Sequence, residues 1–375
     1  MKSRLSNPTL FSLRPPCPPV NSLHRPQCRR YGASAPPSSP PPRRRWMRLA
    51  LVSIAAAGIG AYIRSQQNSG STTLNPERFT PYYLISREPV SSTGSVFTLK
   101  PPKPDEGNHA VYDEAWRTGV WSVMFKQPQL QIGRDYTPLP SVSTGKEDED
   151  EDELRFFIRR DPFGEVSRYL HSLDVGTPIE IRGPKIECLV PADTQQVLFI
   201  AGGTGIAPAL QAGYTLLRRT SSTHKPRIHI LWANRRREDC AGGVNDTTIA
   251  KPQRSWFSGS SPSSTSTSAP PPTHVSPMVR ELEALKTQYP GQVTVDYYVD
   301  EENAFIEKNA ILEFTKSGSS TSGSSPRNMI LVSGPEGFIG YMAGPKLWAQ
   351  GMELQGPLAG IIRELDLKDW AVWKL

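Results

Sequence analysis

The chain has 375 residues, room for two ordinary domains, and its four cysteines, Cys17, Cys28, Cys188 and Cys240, lack metal-type spacing, which argues against a zinc module or a disulfide framework. Its net charge of +7 is unevenly placed: residues 1–76 carry eleven Lys and Arg and no acid, whereas the other 299 carry 32 basic against 36 acidic groups, a net charge of −4. The basic balance therefore belongs to the leader, and the body has no excess positive charge with which to hold a nucleic acid.

Residues 1–45 are rich in Arg, Ser and Pro, the composition of a mitochondrial transit peptide, and Arg29-Arg30-Tyr31 resembles a processing site. Residues 46–64 follow, with a run of 15 uncharged residues from Leu49 to Ile63. That run is shorter than the ~20 residues of a spanning helix. Trp46, Met47 and Tyr62 lengthen it, and Arg48 and Arg64 can snorkel to the head groups. The expectation is a single transmembrane helix, with a signal-peptide core or an interfacial helix as alternatives. The arginines at 43, 44, 45 and 48 put the N-terminus on the matrix side of the mitochondrial inner membrane and the body in the intermembrane space. Residues 65–78 read as a tether.

From residue 79 the texture changes to short apolar runs between turn residues. Tyr82–Ser86, Ser95–Leu99, Val120–Leu130, Leu154–Arg160 and Val175–Pro184 read as strands, which suggests a small antiparallel barrel over 79–191. The acidic run 147–153 reads as a solvated loop. Asp161–Leu173 is a turn into a helix, with Gly164 at the turn and Ser167 at the helix start. Free N–H groups and the helix dipole suit such a start to a phosphate. Arg134-Asp135-Tyr136-Thr137-Pro138 ends the run between them.

Residues 192–375 alternate strand and helix, so they imply a parallel α/β sheet. Val197–Gly202 is a buried strand that enters Gly203-Thr204-Gly205, and a helix runs from Ile206 through Leu217. Strands are expected at Arg227–Asn234, Gln292–Val299 and Met329–Ser333, and helices at Met278–Tyr289, Ala304–Thr315 and, last, Tyr341–Gly351. Residues 240–275 and 317–326 are rich in Ser, Thr, Pro and Gly and read as disordered insertions.

Four motifs occur in order: R-x-Y-T-P (134–138), G-x-x-S (164–167), G-G-T-G-x-x-P (202–208) and S-G-P (333–335). Together they resemble the ferredoxin reductase-like family, and most closely the NADH–cytochrome b5 reductases. The resemblance implies an antiparallel β-barrel FAD domain followed by an α/β NAD(P)-binding domain. It assigns Arg134, Gly164 and Ser167 to the flavin pyrophosphate, and Tyr136, Thr137 and Pro138 to the isoalloxazine. Gly202, Gly203, Thr204, Gly205 and Pro208, with Asn234, Gly334 and Pro335, go to the nicotinamide nucleotide. Thr137 and Ser333 stand at the hydride-transfer locus. Ser333 replaces the family's cysteine and Glu336-Gly337-Phe338 departs from its usual continuation, which puts turnover in doubt more than binding. The cofactors implied are FAD and NADH or NADPH, with no metal. Arg235, Arg236 and Arg237 read either as a solvated loop or as a seat for the 2′-phosphate of NADPH. One of the two terminal tryptophans, Trp370 or Trp373, is expected either to pack on the body or to cover the flavin.

With its leader and Trp-rich end, the chain also resembles a fungal mitochondrial group of flavoproteins, the cytochrome c import factors. That implies haem as the electron acceptor, with apocytochrome c and haem lyase as partners. A cytochrome b5 reductase, with a b5-type acceptor, and a low-activity flavin-binding assembly chaperone are the alternatives.

Overall fold

The computed structural model describes residues 72–140, 152–221, 224–249, 275–316 and 328–375, with three isolated helical residues at 53, 56 and 58. The transit peptide, all of the expected membrane span except those three residues, most of the acidic run and the Ser-rich stretch at 317–326 lie outside these residues. Among the described residues no helix is long and apolar enough to cross a membrane.

The first half forms strands β1 (Thr80–Pro89), β2 (Gly94–Lys100), β3 (Gly119–Gln127), β4 (Ile132–Tyr136), β5 (Pro138–Leu139), β6 (Leu154–Arg159) and β7 (Pro178–Leu189). Two-residue periodicity explains β1, where Thr80, Tyr82 and Leu84 are buried and their neighbours are not. The seven strands form one antiparallel sheet in the order β4-β3-β7-β1-β2-β6-β5. Its two edge strands, β4 and β5, are joined by one residue, Thr137. The sheet must therefore roll until its edges nearly meet, with Thr137 at the seam. Helix α1 (Glu106–Thr118) was not expected; its Asp105 cap accepts from the Gly107 N–H at 2.9 Å. Helix α2 (Glu165–His171) lies between β6 and β7.

The second half supplies β8 (Gln196–Gly202), α3 (Ile206–Leu217), β9 (Arg227–Asn234), α4 (Asp246–Ile249), α5 (Pro277–Gln288), β10 (Val293–Val299), α6 (Lys308–Lys316), β11 (Asn328–Ser333) and α7 (Glu336–Ala343). A two-stranded hairpin follows, β12 (Leu347–Ala349) with β13 (Met352–Leu354), then α8 (Gly360–Glu364) and β14 (Trp370–Lys374). The main sheet is parallel, in the order β10-β9-β8-β11-β14.

Three expectations need correction, and one strand goes beyond them. Residues 72–78 are not a free tether: the Leu74 N–H donates to Asn108 Oδ1 at 2.8 Å, and Leu74 is buried. Residues 240–249 are ordered, because the Asp246 carboxylate accepts from the Val295 N–H of edge strand β10 and pairs with Lys286, at 2.8 Å each. Only 250–274 of that insertion lies outside the described residues. The last helix was expected at Tyr341–Gly351, but it ends at Ala343, where Gly344 turns the chain at φ 88°. The C-terminal residues then add a fifth parallel strand beside β11.

The two sheets share a core. Val96, Val120, Leu139 and Phe157 of the first pack in one buried cluster with Phe199, Ile206 and Leu210 of the second. Gly70–Leu375 is accordingly one compact unit. A buried side chain clamps the junction: Gln211 of α3 accepts from the Trp121 N–H at 2.8 Å and donates to the Pro138 carbonyl at 2.9 Å.

Candidate functional site

The barrel seam and the carboxyl ends of the parallel strands open onto one cavity of about 250 Å3. Three sequence-distant pieces line it: Tyr136 and Thr137 of the seam, Thr204, Gly205 and Pro208 of the loop after β8, and Ser333 and Gly334 after β11. Placing ligand-facing loops at the carboxyl ends of parallel strands is what an open α/β sheet does.

The Tyr136 ring packs edge-on against Phe125, with centroids 5.1 Å apart. Burial raises its hydroxyl above the ordinary tyrosine range, Arg134 opposes that rise and Asp161 adds to it. The phenol thus remains a proton donor at any physiological pH. Arg134 itself is exposed, donates to the Gly133 carbonyl at 3.0 Å and makes no ion pair among the described residues.

The glycines of the two loops are there for each other. A Cβ at Gly205 would lie 2.4 Å from the Ser333 carbonyl oxygen. A Cβ at Gly334 would lie 3.1 Å from Gly202 Cα, and one at either Gly202 or Gly334 would strike the Phe338 ring, at 2.8 and 2.9 Å. Phe338, one of the departures from the family pattern, is therefore a wedge beneath both loops. Gly203 differs: its φ of +56° favours glycine, its surroundings are open, and its carbonyl accepts from Trp232 Nε1 at 2.9 Å.

Arg134, Pro138, Gly164, Ser167, Gly202, Gly203, Asn234 and Pro335 are not among the residues that line the cavity. Pro138 holds the seam through its carbonyl, as described above. Gly164 caps α2 without a side-chain hydrogen bond, and the Ser167 hydroxyl is turned inward. It accepts from the Asp161 N–H at 3.1 Å and donates to the Gly164 carbonyl at 3.2 Å. The serine thus shapes the turn, and the helix N–H groups are what remains for a phosphate. Asn234 ends β9 fully buried, with neither amide atom partnered. Such an orphan is costly unless a ligand satisfies it.

Several cavity residues carried no sequence signal. Lys185 lies 3.0 Å from the Asp135 carboxylate and 2.9 Å from that of Glu187, which also accepts from Ser122 Oγ at 2.6 Å. Burial tends to lower the Lys185 ammonium, but these carboxylates outweigh it and raise the group, so it stays charged. Lys346 and Glu353, 3.0 Å apart, and the C-terminal Leu375 complete the wall. The lining contains no His or Cys. It offers hydrogen-bonding walls and a slot between Tyr136–Thr137 and Ser333–Gly334.

The terminal tryptophans pack on the body. Trp370 is buried 5.9 Å from Phe314, and Trp373 Nε1 donates to the Glu187 carbonyl at 3.0 Å. Neither lines the cavity; Leu375 does.

No family model matches the chain. It is similar to NADH-cytochrome b5 reductase 2-A of Vanderwaltozyma polyspora, with 23% identity over 324 residues, covering 84% of this chain and 89% of the relative. The chain is a homologue of the NADH-cytochrome b5 reductases. Homology extends to an uncharacterized FAD-binding protein of Schizosaccharomyces pombe, 34% identical over 43% of this chain and 58% of that protein. It also extends to the cytochrome c mitochondrial import factor CYC2 of Saccharomyces cerevisiae, 30% identical over 35% of this chain and 37% of that one. The chain thus spans little more than half of the first of these two proteins and about a third of the second. The basic triplet after Asn234, open between two readings from sequence, is largely neutralised. Arg236 pairs with Glu238 at 3.3 Å, and Arg237 pairs with Glu302 while its N–H donates to Glu301 Oε1 at 2.6 Å.

Proposed function

We propose that the protein is an FAD-dependent oxidoreductase that takes hydride from NADH and passes electrons singly to a haem acceptor. The observation that carries this reading is the convergence of the Tyr136–Thr137 seam, the Thr204–Gly205 loop and Ser333–Gly334 on one cavity. Its residues suit both groups. Tyr136 offers an aromatic wall and Thr137 a hydroxyl to a flat ring system. The exposed guanidinium of Arg134 and the start of α2, where Gly164 offers no side-chain cap, suit the pyrophosphate of FAD. Asn234, with its orphaned amide, and the loop Gly202–Pro208 suit a nicotinamide nucleotide. When bound, FAD supplies the change from two-electron to one-electron chemistry. The protein positions the rings and keeps Tyr136 protonated.

NADH suits the site better than NADPH. Glu302 occupies the guanidinium of Arg237 and Glu301 its N–H, and both would face a 2′-phosphate with like charge.

The Arg-rich leader and the uncharged run Leu49–Ile63 support a protein anchored in the mitochondrial inner membrane with its body in the intermembrane space. The relation to CYC2 supports haem iron reduction ahead of haem attachment to apocytochrome c, with haem lyase as a partner. Homology over most of the chain to a cytochrome b5 reductase favours a b5-type acceptor as the second reading. The test is anaerobic titration of the purified yellow protein with NADH while the flavin absorbance near ~450 nm is recorded. Stoichiometric bleaching is expected. A flavin that NADH cannot bleach refutes the oxidoreductase reading and selects the chaperone.

A further inference from the structure

Six exposed large apolar side chains fall between Tyr341 and Leu358, a stretch that carries only two charges. The two charges, Lys346 and Glu353, neutralise each other at 3.0 Å. The centre of this stretch is the hairpin β12–β13. Its turn residues Gln350 and Gly351 have φ of 55° and 75°, the left-handed pair of a tight type I′ connection. The register Leu347↔Leu354, Trp348↔Glu353 and Ala349↔Met352 puts four apolar side chains on one face and Trp348 with Glu353 on the other. Trp348 is 76% exposed and Met352 58% exposed. Exposure of this kind, concentrated in one place, marks an interaction surface.

A lone two-stranded hairpin is marginal in water. This one is clamped at its base: Lys374 Nζ donates to the carbonyls of Pro345 and Pro357, at 3.1 Å each. Gln355 exchanges two hydrogen bonds with the Lys374 backbone, at 2.8 and 2.7 Å. The hairpin is also the rim of the cavity, because Lys346 and Glu353 line it. Whatever rests on the hairpin is therefore beside the electron source.

We propose that this hairpin is the docking surface of the electron acceptor, and that the acceptor meets it with the apolar edge of a metalloporphyrin and not with a ring of charges. The inference rests on the oxidoreductase reading and names its partner. Continuity with the cavity selects an electron acceptor among possible occupants. The self-neutralised ion pair gives no field with which to steer an acidic or basic face, and leaves apolar contact as the attraction. In the overall reaction one NADH becomes NAD+, two ferric porphyrins become ferrous, and one proton goes to solvent.

The test uses the full chain with FAD, NADH as donor, and three acceptors: bis-imidazole ferric haem, cytochrome b5 and ferricyanide. Leu347→Ser with Met352→Ser changes only exposed side chains of the four-residue apolar face, outside the cavity wall, so ferricyanide reduction is expected to stay unchanged. KM for the haem complex is expected to rise at least about fivefold. For the wild type that KM should change less than about twofold between ~50 and ~300 mM salt. An unchanged KM for haem in the variant overturns the proposal. So does a variant that loses only cytochrome b5 reduction, or only binding to phosphatidylcholine vesicles, which assigns the hairpin to a charged partner or to a membrane. A wild type that reduces no acceptor, ferricyanide included, overturns the oxidoreductase reading as well, so the two failures are told apart.

Discussion

Gly205→Ala should damage the site through one added methyl group. Its Cβ would lie 2.4 Å from the Ser333 carbonyl oxygen and 2.8 Å from the Ser333 carbonyl carbon. An ordinary carbon–oxygen contact is about 3.3 Å or more, so the β8 and β11 loops must part by roughly 0.9 Å. Both partners are backbone, so no rotamer change can relieve the clash, and overpacking of this kind costs about 1–3 kcal/mol. The same opening separates Thr204 from Ser333 across the cavity, so hydride transfer should slow by more than stability alone explains. Urea unfolding measures the first effect, and stopped-flow bleaching of the flavin by NADH measures the second. Gly176→Ala, outside the site, is the control: its φ of +93° strains alanine, but nothing lies within 4 Å. It should destabilise by about 1 kcal/mol with little effect on bleaching once folded. Equal bleaching rates in Gly205→Ala and wild type would show that the loop contact does not set the cavity's geometry.

Gln211→Leu should leave the Trp121 N–H and the Pro138 carbonyl buried and unpaired, at a cost of about 2–4 kcal/mol in urea unfolding. Because Pro138 follows Thr137, the variant should also lose flavin on gel filtration. Ser333→Cys is nearly isosteric at a buried position and should preserve folding while raising the rate of flavin reduction, by up to about tenfold in stopped-flow traces. Glu301→Gln with Glu302→Gln frees Arg237 and should improve kcat/KM for NADPH relative to NADH about fivefold. An unchanged ratio would place the adenosine end elsewhere. His171 is lowered from its ordinary 6.5, by burial first and then by the charges of Arg87 and Arg160, against a hydrogen bond to the Ile158 carbonyl. A depressed histidine makes the unfolded chain bind more protons, so its share of stability is complete above pH 6.5 and is lost as pH falls through the folded value. His171→Gln should flatten the fall in unfolding free energy as pH drops below 6.5.

Much of the site was legible because it depends on local chemistry. R-x-Y-T-P ends a strand, G-G-T-G turns a strand into a helix and S-G-P ends another, and each needs its residue types wherever it sits. Alternation of strand and helix is enough to bring two of the motifs to the carboxyl end of one parallel sheet. The hydroxyl of Ser167 was less legible, because its role depends on which way a turn folds over it. Helix Glu106–Thr118 was missed because its sequence is mostly polar and its main start signal is the Asp105 cap. Strand Trp370–Lys374 was missed because a lone five-residue run acquires its meaning from the β11 edge it joins.

From the sequence by itself come the two sheets, their order along the chain and seven of the residues that line the cavity. Periodicity and turn residues act over a few positions and need no distant partner. The tertiary structure alone decided the rest. The seam closes at Thr137 because β4 and β5 are the edges of one rolled sheet. Gln211 matters because α3 packs across that seam, and Gly205 because β8 and β11 are neighbours. The charged wall of Lys185, Glu187, Lys346 and Glu353 exists because residues more than 150 positions apart meet where the two sheets pack.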